Sequence, residues 1–267
     1  MCRWLAYSGP SLSLAALLTR PDHSLIDQSR HARQNVYTTN GDGFGVGWYG
    51  NTKTPGTYHD THPAWNDTNL HQLAAHIDSP VFFAHVRAAT GTPVQNTNCH
   101  PFQFGKWLFQ HNGSVPGFHR LRRRMMFEID PELFPSILGS TDSELLFYLS
   151  LTFGLEDDPP QALQRTIGCV ERFRNQEGIE DPIYFSAAAT DGQRTFAVRY
   201  SSHQQSRTLY HSRHLRALRD VDGSYSELPE GAVVIVSEPL DELRDQWAEV
   251  PESALCIAAQ GEISTMH

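Results

Sequence analysis

The chain has 267 residues, 39% of them hydrophobic and 10% aromatic, enough for one large or two small globular cores. A formal net charge of −9 and a pI near 5.8 argue against a nucleic-acid partner, which needs a basic face. No stretch approaches the roughly 18 consecutive apolar residues of a membrane span, and the N-terminus lacks the basic and apolar regions of a signal peptide.

The chain opens on Met1-Cys2. A small second residue favours removal of the initiator methionine. That would leave a cysteine whose thiol and free α-amine sit on one residue. The thiolate is the nucleophile, and an α-amine of ordinary pKa, about 7.7–8.0, supplies a base beside it. Any chain can carry Cys at position 2, so the rest of the sequence must support the reading.

Arg3 to Ser8 reads as a short strand that carries Cys2 at its start. Leu12 to Leu18 has apolar residues at helical spacing and stops before Arg20-Pro21. The glycines of Asn40-Gly41-Asp42-Gly43-Phe44-Gly45-Val46-Gly47 superficially suit a nucleotide loop. No strand leads in and no helical pattern follows, so a tight turn feeding a glycine-rich strand fits better. Leu70 to Ile77 reads as a helix, Val81 to Val86 as a buried strand, and Trp107 to Gln110 as another strand before Asn112-Gly113. Ser140-Thr141-Asp142-Ser143-Glu144 is a capping box with Ser140 or Thr141 as the cap.

After the polar linker Glu156 to Pro160, a helix is expected over Gln161 to Arg174. Five strands are expected beyond it: Ile183 to Ala189, Thr195 to Tyr200, Thr208 to His211, Ala232 to Ser237 and Ala254 to Ala259. Clustered helices and hairpin-linked strands predict an α+β fold of antiparallel sheets covered by helices.

Four polar points stand just past strands or at a helix start: Cys2, Arg87, Asn112-Gly113 and Asp142. Cys2 can attack a carbonyl, and the Asn112 amide and the Gly113 N–H can donate to an oxyanion. Arg87 offers a fork for a carboxylate and Asp142 an acceptor for an ammonium, together a grip for an α-amino acid head group. Each also has a plainer reading: a surface ion pair for Arg87, a hairpin turn for Asn112-Gly113, a helix-terminus charge for Asp142. The run Arg120-Leu121-Arg122-Arg123-Arg124 reads as a solvated face, with docking of an acidic substrate or subunit as the alternative.

Four cysteines, Cys2, Cys99, Cys169 and Cys256, show no metal spacing, and His111 and His119 lack partners at ligand spacing. No metal or other cofactor is expected, and the protein is expected to be cytoplasmic and reduced.

Met1-Cys2-Arg3, His85-Val86-Arg87-Ala88-Ala89-Thr90, Asn98-Cys99-His100-Pro101-Phe102, His111-Asn112-Gly113 and Ser140 to Glu144 resemble, in order, the motifs of class II glutamine amidotransferases. That resemblance implies a four-layer αββα sandwich with an N-terminal nucleophile, Cys2. It implies an oxyanion hole of Asn112 and Gly113, a head-group grip of Arg87 and Asp142, and Thr90 and His100 lining or supporting the pocket.

Further stretches, among them Leu18-Thr19-Arg20-Pro21, His23-Ser24, Pro63-Ala64-Trp65-Asn66 and Ser237-Glu238-Pro239-Leu240, are most similar to the amidotransferase-type subunit of a fungal glutathione-degrading complex. A γ-glutamyl amidase of the ergothioneine pathway is similar but more distant. The pattern departs at Ser114, where glycine is expected, and over Arg120 to Met126.

The expectation is thus one glutaminase-type domain over residues 2–267, with residues 150–267 completing the sandwich and leaving no room for a synthase domain. It would hydrolyse a γ-glutamyl amide such as glutamine or glutathione, alone or with a separate peptidase-like or synthase subunit. The rival is a non-catalytic regulatory subunit that binds metabolites in the same pocket.

Overall fold

A computed structural model of the chain describes residues 2–34, 39–213 and 228–267. The chain enters on β1 (Arg3–Ser13), followed by the short helices α1 (Ala15–Leu18) and α2 (Leu25–His31). The hairpin β2 (Phe44–Trp48) and β3 (Gly56–Asp60) leads to α3 (Thr68–His76) and β4 (Asp78–Val86). Next come β5 (Phe102–Phe104), β6 (Trp107–Ser114), α4 (Phe118–Glu128), α5 (Asp142–Thr152) and α6 (Pro159–Gln176). The remainder is strand: β7 (Tyr184–Thr190), β8 (Arg194–Ser201), β9 (Tyr210–Ser212), β10 (Val233–Val236), β11 (Trp247–Glu249), β12 (Ala254–Ala259) and β13 (Glu262–Met266).

The strands form two antiparallel sheets, ordered β11-β9-β10-β1-β4-β2-β3 and β13-β12-β8-β7-β6-β5 among the described residues. Alternation along each strand sorts side chains into layers. Leu5 and Tyr7 of β1 face α1 to α3, together with Phe82 and Ala84 of β4 and Val234 and Val236 of β10. Trp4, Ala6, Val81, Phe83, Val233 and Ile235 point the other way, to Leu108, Ala188, Ala197 and Cys256 of the second sheet. That sheet turns Trp107, Phe109, Phe185 and Phe196 outward onto α4, α5 and α6. The result is the four-layer αββα sandwich expected from the resemblance. The middle helix, α5, is buried almost all round because it packs on β6 and between α4 and α6. Its Phe147 ring stacks on Phe109 at 5.3 Å.

Some boundaries differ from the sequence reading. Leu12 to Leu18 is not one helix. β1 runs on to Ser13 after a register shift between Ser8 and Leu12, and pairs Leu12 with Ser79. Only Ala15–Leu18 is helical, because a sheet partner was available to the apolar residues before it. The arginine-rich run lies on α4, whose Leu121 and Met125 are buried at i, i+4 spacing. On its outer side Arg120 and Arg124 both pair with Glu177 at 3.1 Å. Among the described residues no helix is long and apolar enough to cross a membrane.

The inter-sheet layer is the part of the core that both sheets share. Phe83 lies there, fully buried. Phe83→Ala is expected to cost about 3–5 kcal/mol, as large-to-small core changes of this kind do. Urea unfolding should show the loss as a lower midpoint at unchanged secondary-structure signal.

Candidate active site

Backbone pairing fixes where Cys2 lies. Arg3 pairs with Val86 across β1 and β4, so Cys2, one residue earlier, lies beside Arg87 and Ala88 at the end of the first sheet. Its Sγ donates to the Ala88 carbonyl at 3.7 Å. Trp4, two residues on and on the same face, donates its indole N–H to Ser186 O at 3.2 Å. Ser186 stands opposite Asn112 in the β6–β7 register. Cys2 and Asn112 therefore sit at one end of the gap between two facing sheets. Burial of the sulfur pushes the thiol pKa up, against the pull of the Arg87 and Arg3 charges.

Arg87 is buried, and three of its donor contacts are made within the chain: to Asp42 O at 3.3 Å, Thr92 Oγ1 at 2.7 Å and Pro93 O at 3.2 Å. A guanidinium has five N–H donors, so others remain for a ligand. Asp42, from the glycine-rich stretch, also accepts from Ala89 N at 2.8 Å. It thus holds the segment after Arg87 from both its carbonyl and its side chain. The turn needs glycine at position 43: φ is +108°, and a Cβ would lie 2.7 Å from Cys99 Sγ. Asn98 then accepts from Ser140 N at 2.8 Å and donates to Pro93 O at 2.9 Å. This ties the loop after Arg87 to the turn that precedes Asp142. Thr90 is exposed two residues beyond Ala88.

β5 pairs with β6 only from Phe104↔Trp107 to Phe102↔Phe109, so beyond Phe109 that edge of β6 has no strand neighbour among the described residues. The His111 carbonyl lies on this edge and accepts from His85 Nε2 at 3.2 Å. Strand alternation puts the Gly113 N–H on the same open edge. No side chain fits at Gly113, where a Cβ would lie 1.9 Å from Tyr184 O and 2.3 Å from His111 Nε2. Ser114, where glycine was expected, ends β6 opposite Tyr184.

Asp142 is the first residue of α5, where the helix dipole favours a carboxylate. It accepts from Val115 N and Ser143 N, both at 2.8 Å. The Ser143 hydroxyl meets His111 Nδ1 at 2.9 Å, and His111 Nε2 donates to Tyr184 O at 3.1 Å. Thr141 is the cap, accepting from Glu144 N. The Glu144 carboxylate does not return to the cap as a capping box would. It accepts instead from Leu138 N and Gly139 N, both at 2.8 Å, and so fixes the turn before the helix. The structure thus groups Cys2, Arg87, Asn112 and Gly113 at one end of the sandwich and links Asp142 to them through His111. Asp42, Asn98 and Glu144 are supporting residues that the sequence reading had not assigned to the site.

Behind the site His85 and His100 stack with ring centroids 4.1 Å apart. His100 is buried, and neither of its ring nitrogens has a hydrogen-bond partner among the described residues. Its ring packs between those of His85 and Phe102. His111 and His119 do not converge on a metal site, and no group of three potential ligands does so among the described residues.

Burial lowers the pKa of His85 to about 3 and that of His100 well below the usual imidazole value. In the unfolded chain both titrate near 6.5. Below that pH the unfolded state takes up protons that the folded state refuses. Stability from this pair is therefore full above about pH 6.5 and falls as the pH drops toward 3, by up to about 1.4 kcal/mol per pH unit for each ring. Urea unfolding between pH 6.5 and 5 should show that slope, and His100→Phe, which keeps the stack, should flatten it.

The family model described as class-II glutamine amidotransferases matches residues 24–267. The chain is 32% identical to probable glutamine amidotransferase DUG3 of Saccharomyces cerevisiae over 96% of this chain and 81% of that protein. It is 34% identical to the gamma-glutamyl-hercynylcysteine sulfoxide hydrolase of Mycolicibacterium smegmatis over 96% of this chain and 94% of that one. A glutamine aminotransferase class-II domain protein from Silicibacter pomeroyi superposes with a TM-score of 0.75 at 32% identity, covering 99% of this chain and 98% of that one. The glutamine phosphoribosylpyrophosphate amidotransferase of B. subtilis shares the fold alone, with a TM-score of 0.67 at 13% identity over 49% of its own length. By the family match and by its curated relatives, the chain belongs to the class II glutamine amidotransferases.

Proposed function

We propose that the protein is an amidohydrolase that cleaves the γ-glutamyl amide bond of glutamine or of a γ-glutamyl compound such as glutathione. The observation that carries this is the half-buried Cys2 thiol just before β1, at the same end of the inter-sheet gap as Asn112 and the open edge of β6. In a class II glutamine amidotransferase such a pair supplies both nucleophile and oxyanion site. The names of the curated relatives add the γ-glutamyl specificity.

Once Met1 is removed, the α-amine of Cys2 takes the thiol proton. The raised thiol pKa makes that base necessary, since little thiolate exists at neutral pH without it. Sulfur bonds to the γ-carbonyl carbon, and the oxygen takes the negative charge against the Asn112 amide and the Gly113 N–H. The C–N bond then breaks, and the leaving amine takes the proton held by the α-ammonium. Water resolves the thioester, giving a γ-carboxylate and the free thiol, with the amine again as base. Arg87 uses its remaining donors for the substrate carboxylate, and Asp142 accepts from the substrate ammonium. Thr90 lies at the mouth and His100 backs the site.

Residues 2–267 form one catalytic domain in this reading, because β1 is paired on one side by β4 and on the other by β10 from the far end of the chain. The four free cysteines suit a reducing, cytoplasmic setting. Substrate is a small molecule, and a separate peptidase-like or synthase subunit consumes the product. Exposed Phe127, Phe134 and Leu138 offer such a subunit an apolar surface.

The test is release of glutamate from glutamine and glutathione, together with intact-mass analysis after a glutamine-analogue diazoketone. One adduct per chain, mapped to Cys2, is expected. Neither turnover nor adduct in protein lacking Met1 would leave only the non-catalytic metabolite-binding role. Protein that retains Met1 should be inactive.

Asn112→Ala should lower kcat by about 10²–10³ with little change in KM, because its donor acts on charge present only in the transition state. A change confined to KM would assign Asn112 to ground-state binding. Arg87→Lys and Asp142→Asn should hurt glutamine and glutathione alike, since both substrates share the head group. Trp65 lies over Gly41, beside Asp42, and is the candidate for telling the leaving groups apart. Trp65→Ala should change the ratio of kcat/KM for the two substrates, whereas Arg87→Lys should not.

A further inference from the structure

We propose that Arg3, anchored by Glu238 and His23, is a positioning residue for the nucleophile: it holds the Cys2 carbonyl and thereby the direction of the thiol and the α-amine. The proposal rests on the reaction proposed above, in which both groups of Cys2 act.

The geometry is a three-armed clamp. Arg3 Nε donates to Glu238 Oε1 at 2.6 Å, and Nη2 lies against the same oxygen. The third arm, Nη1, donates to Cys2 O at 2.9 Å. Glu238 is held in turn by His23 Nε2 at 3.1 Å, Arg33 N at 3.0 Å and Gln34 N at 2.9 Å. His23 Nδ1 meets Asp27 Oδ2 at 3.0 Å, and Gln28 Nε2 donates to both the His23 and the Glu238 carbonyls. The Arg3, His23 and Glu238 side chains are exposed by 3% or less. Burial alone would raise the pKa of Glu238, but the His23 contact, the Arg3 charge and the two amides bring it to about 2. Glu238 is therefore an anion at neutral pH, set against the Arg3 guanidinium.

The need for such a clamp follows from chemistry at a chain end. The β1–β4 ladder begins at Arg3↔Val86, so Cys2 is outside it. With Met1 gone, one peptide bond attaches Cys2 to the protein. Rotation about the Arg3 N–Cα bond turns the Cys2–Arg3 peptide plane and carries thiol and amine with it relative to the oxyanion site. The Arg3–carbonyl bond opposes that rotation, and its guanidinium also favours the thiolate against burial. A purely structural tie between β1 and residue 238 would need only the two arms to Glu238. Buried ion pairs are seldom the most stable way to join two elements, which leaves the third arm as the informative one.

The experiment uses full-length protein lacking Met1, its Arg3→Lys variant and its Glu238→Gln variant. Melting temperature, kcat and KM for glutamine and glutathione, and the rate at which iodoacetamide alkylates Cys2 are measured on each. Lysine keeps the charge but cannot serve Glu238 and the Cys2 carbonyl together. Arg3→Lys should lower kcat roughly 10–100-fold with KM unchanged, the effect of a misplaced reacting group. Cys2 alkylation should slow severalfold. Glu238→Gln retains the shape and should show the same pattern more weakly, which keeps the test open if Arg3→Lys does not fold. A lower melting temperature with unchanged kcat and alkylation in both variants would overturn the proposal and leave a structural ion pair. If the parent turns over neither substrate, the proposed reaction fails, yet slowed alkylation in Arg3→Lys would still support the clamp.

Discussion

The proposed N-terminal nucleophile sets a conflict, because chain ends fray and a reacting group must not move. The fold resolves it with two-sided backbone pairing of β1. Leu5 pairs with Val236 on one edge and with Ala84 on the other. Beyond the ladder, Ser237 N donates to Trp4 O and Trp4 N to the Ser237 hydroxyl, so β10 grips β1 almost to its start. One of the two strands that hold β1 therefore comes from the last part of the chain. Whatever perturbs β10 reaches Cys2 through the β1–β10 ladder and the Trp4–Ser237 contacts, without touching any residue of the proposed site itself.

Burial is the second constraint. The interior behind Cys2 is built of groups that stay neutral: His85 and His100 lie far below their ordinary pKa, and the thiol lies above its own. A low-dielectric surround strengthens the few charges it holds. Those charges sit at the edges of the site: Arg87 bonded to carbonyls, Asp142 at a helix N-terminus, and Arg3 neutralised by Glu238. Among the described residues His111 is committed to Ser143 and Tyr184, and His85 Nε2 to the His111 carbonyl. That favours the proposed reading, in which the α-amine of Cys2 is the base.

What could be read from the sequence follows from how local each signal is. β4 was legible because it is a continuous apolar run, and the Thr141 cap because capping is a contact between residues three apart. α6 was legible too, with Asp158 capping it and Pro159 at its start. Arg87 follows a strand and Asp142 starts a helix, as read, whereas Asn112 and Gly113 lie inside β6, which runs on past Gln110 to Ser114. α2 and α4 were missed: one is short, and in the other arginines hide the two buried positions, Leu121 and Met125. The end of β1 was misread because leucines before a proline look alike in a strand and in a helix. Asp42, Asn98 and Glu144 act through partners between 5 and 47 residues away, and no local pattern announces such a contact.

Those three residues also explain how two sheets make one site. Arg87 comes from the first sheet, while Asn112, Gly113 and the helix bearing Asp142 belong to the second side of the sandwich. Across the gap between sheets packing is apolar and has little direction, so it cannot set an angstrom-scale distance between polar groups. Hydrogen bonds can. Asp42 fixes residues 87–89, Asn98 joins Pro93 to Ser140, and Glu144 fixes residues 138 and 139. The path from Arg87 to Asp142 is thus closed by short polar contacts made mostly to backbone. Gly139 completes it, because a Cβ there would lie 2.5 Å from Thr97 O and 2.6 Å from Asn98 Oδ1. The close approach that lets Asn98 bind the turn is available only to glycine. The spacing between Arg87 and Asp142, the two charged ends of the proposed head-group site, is in this sense set by a residue that carries no side chain.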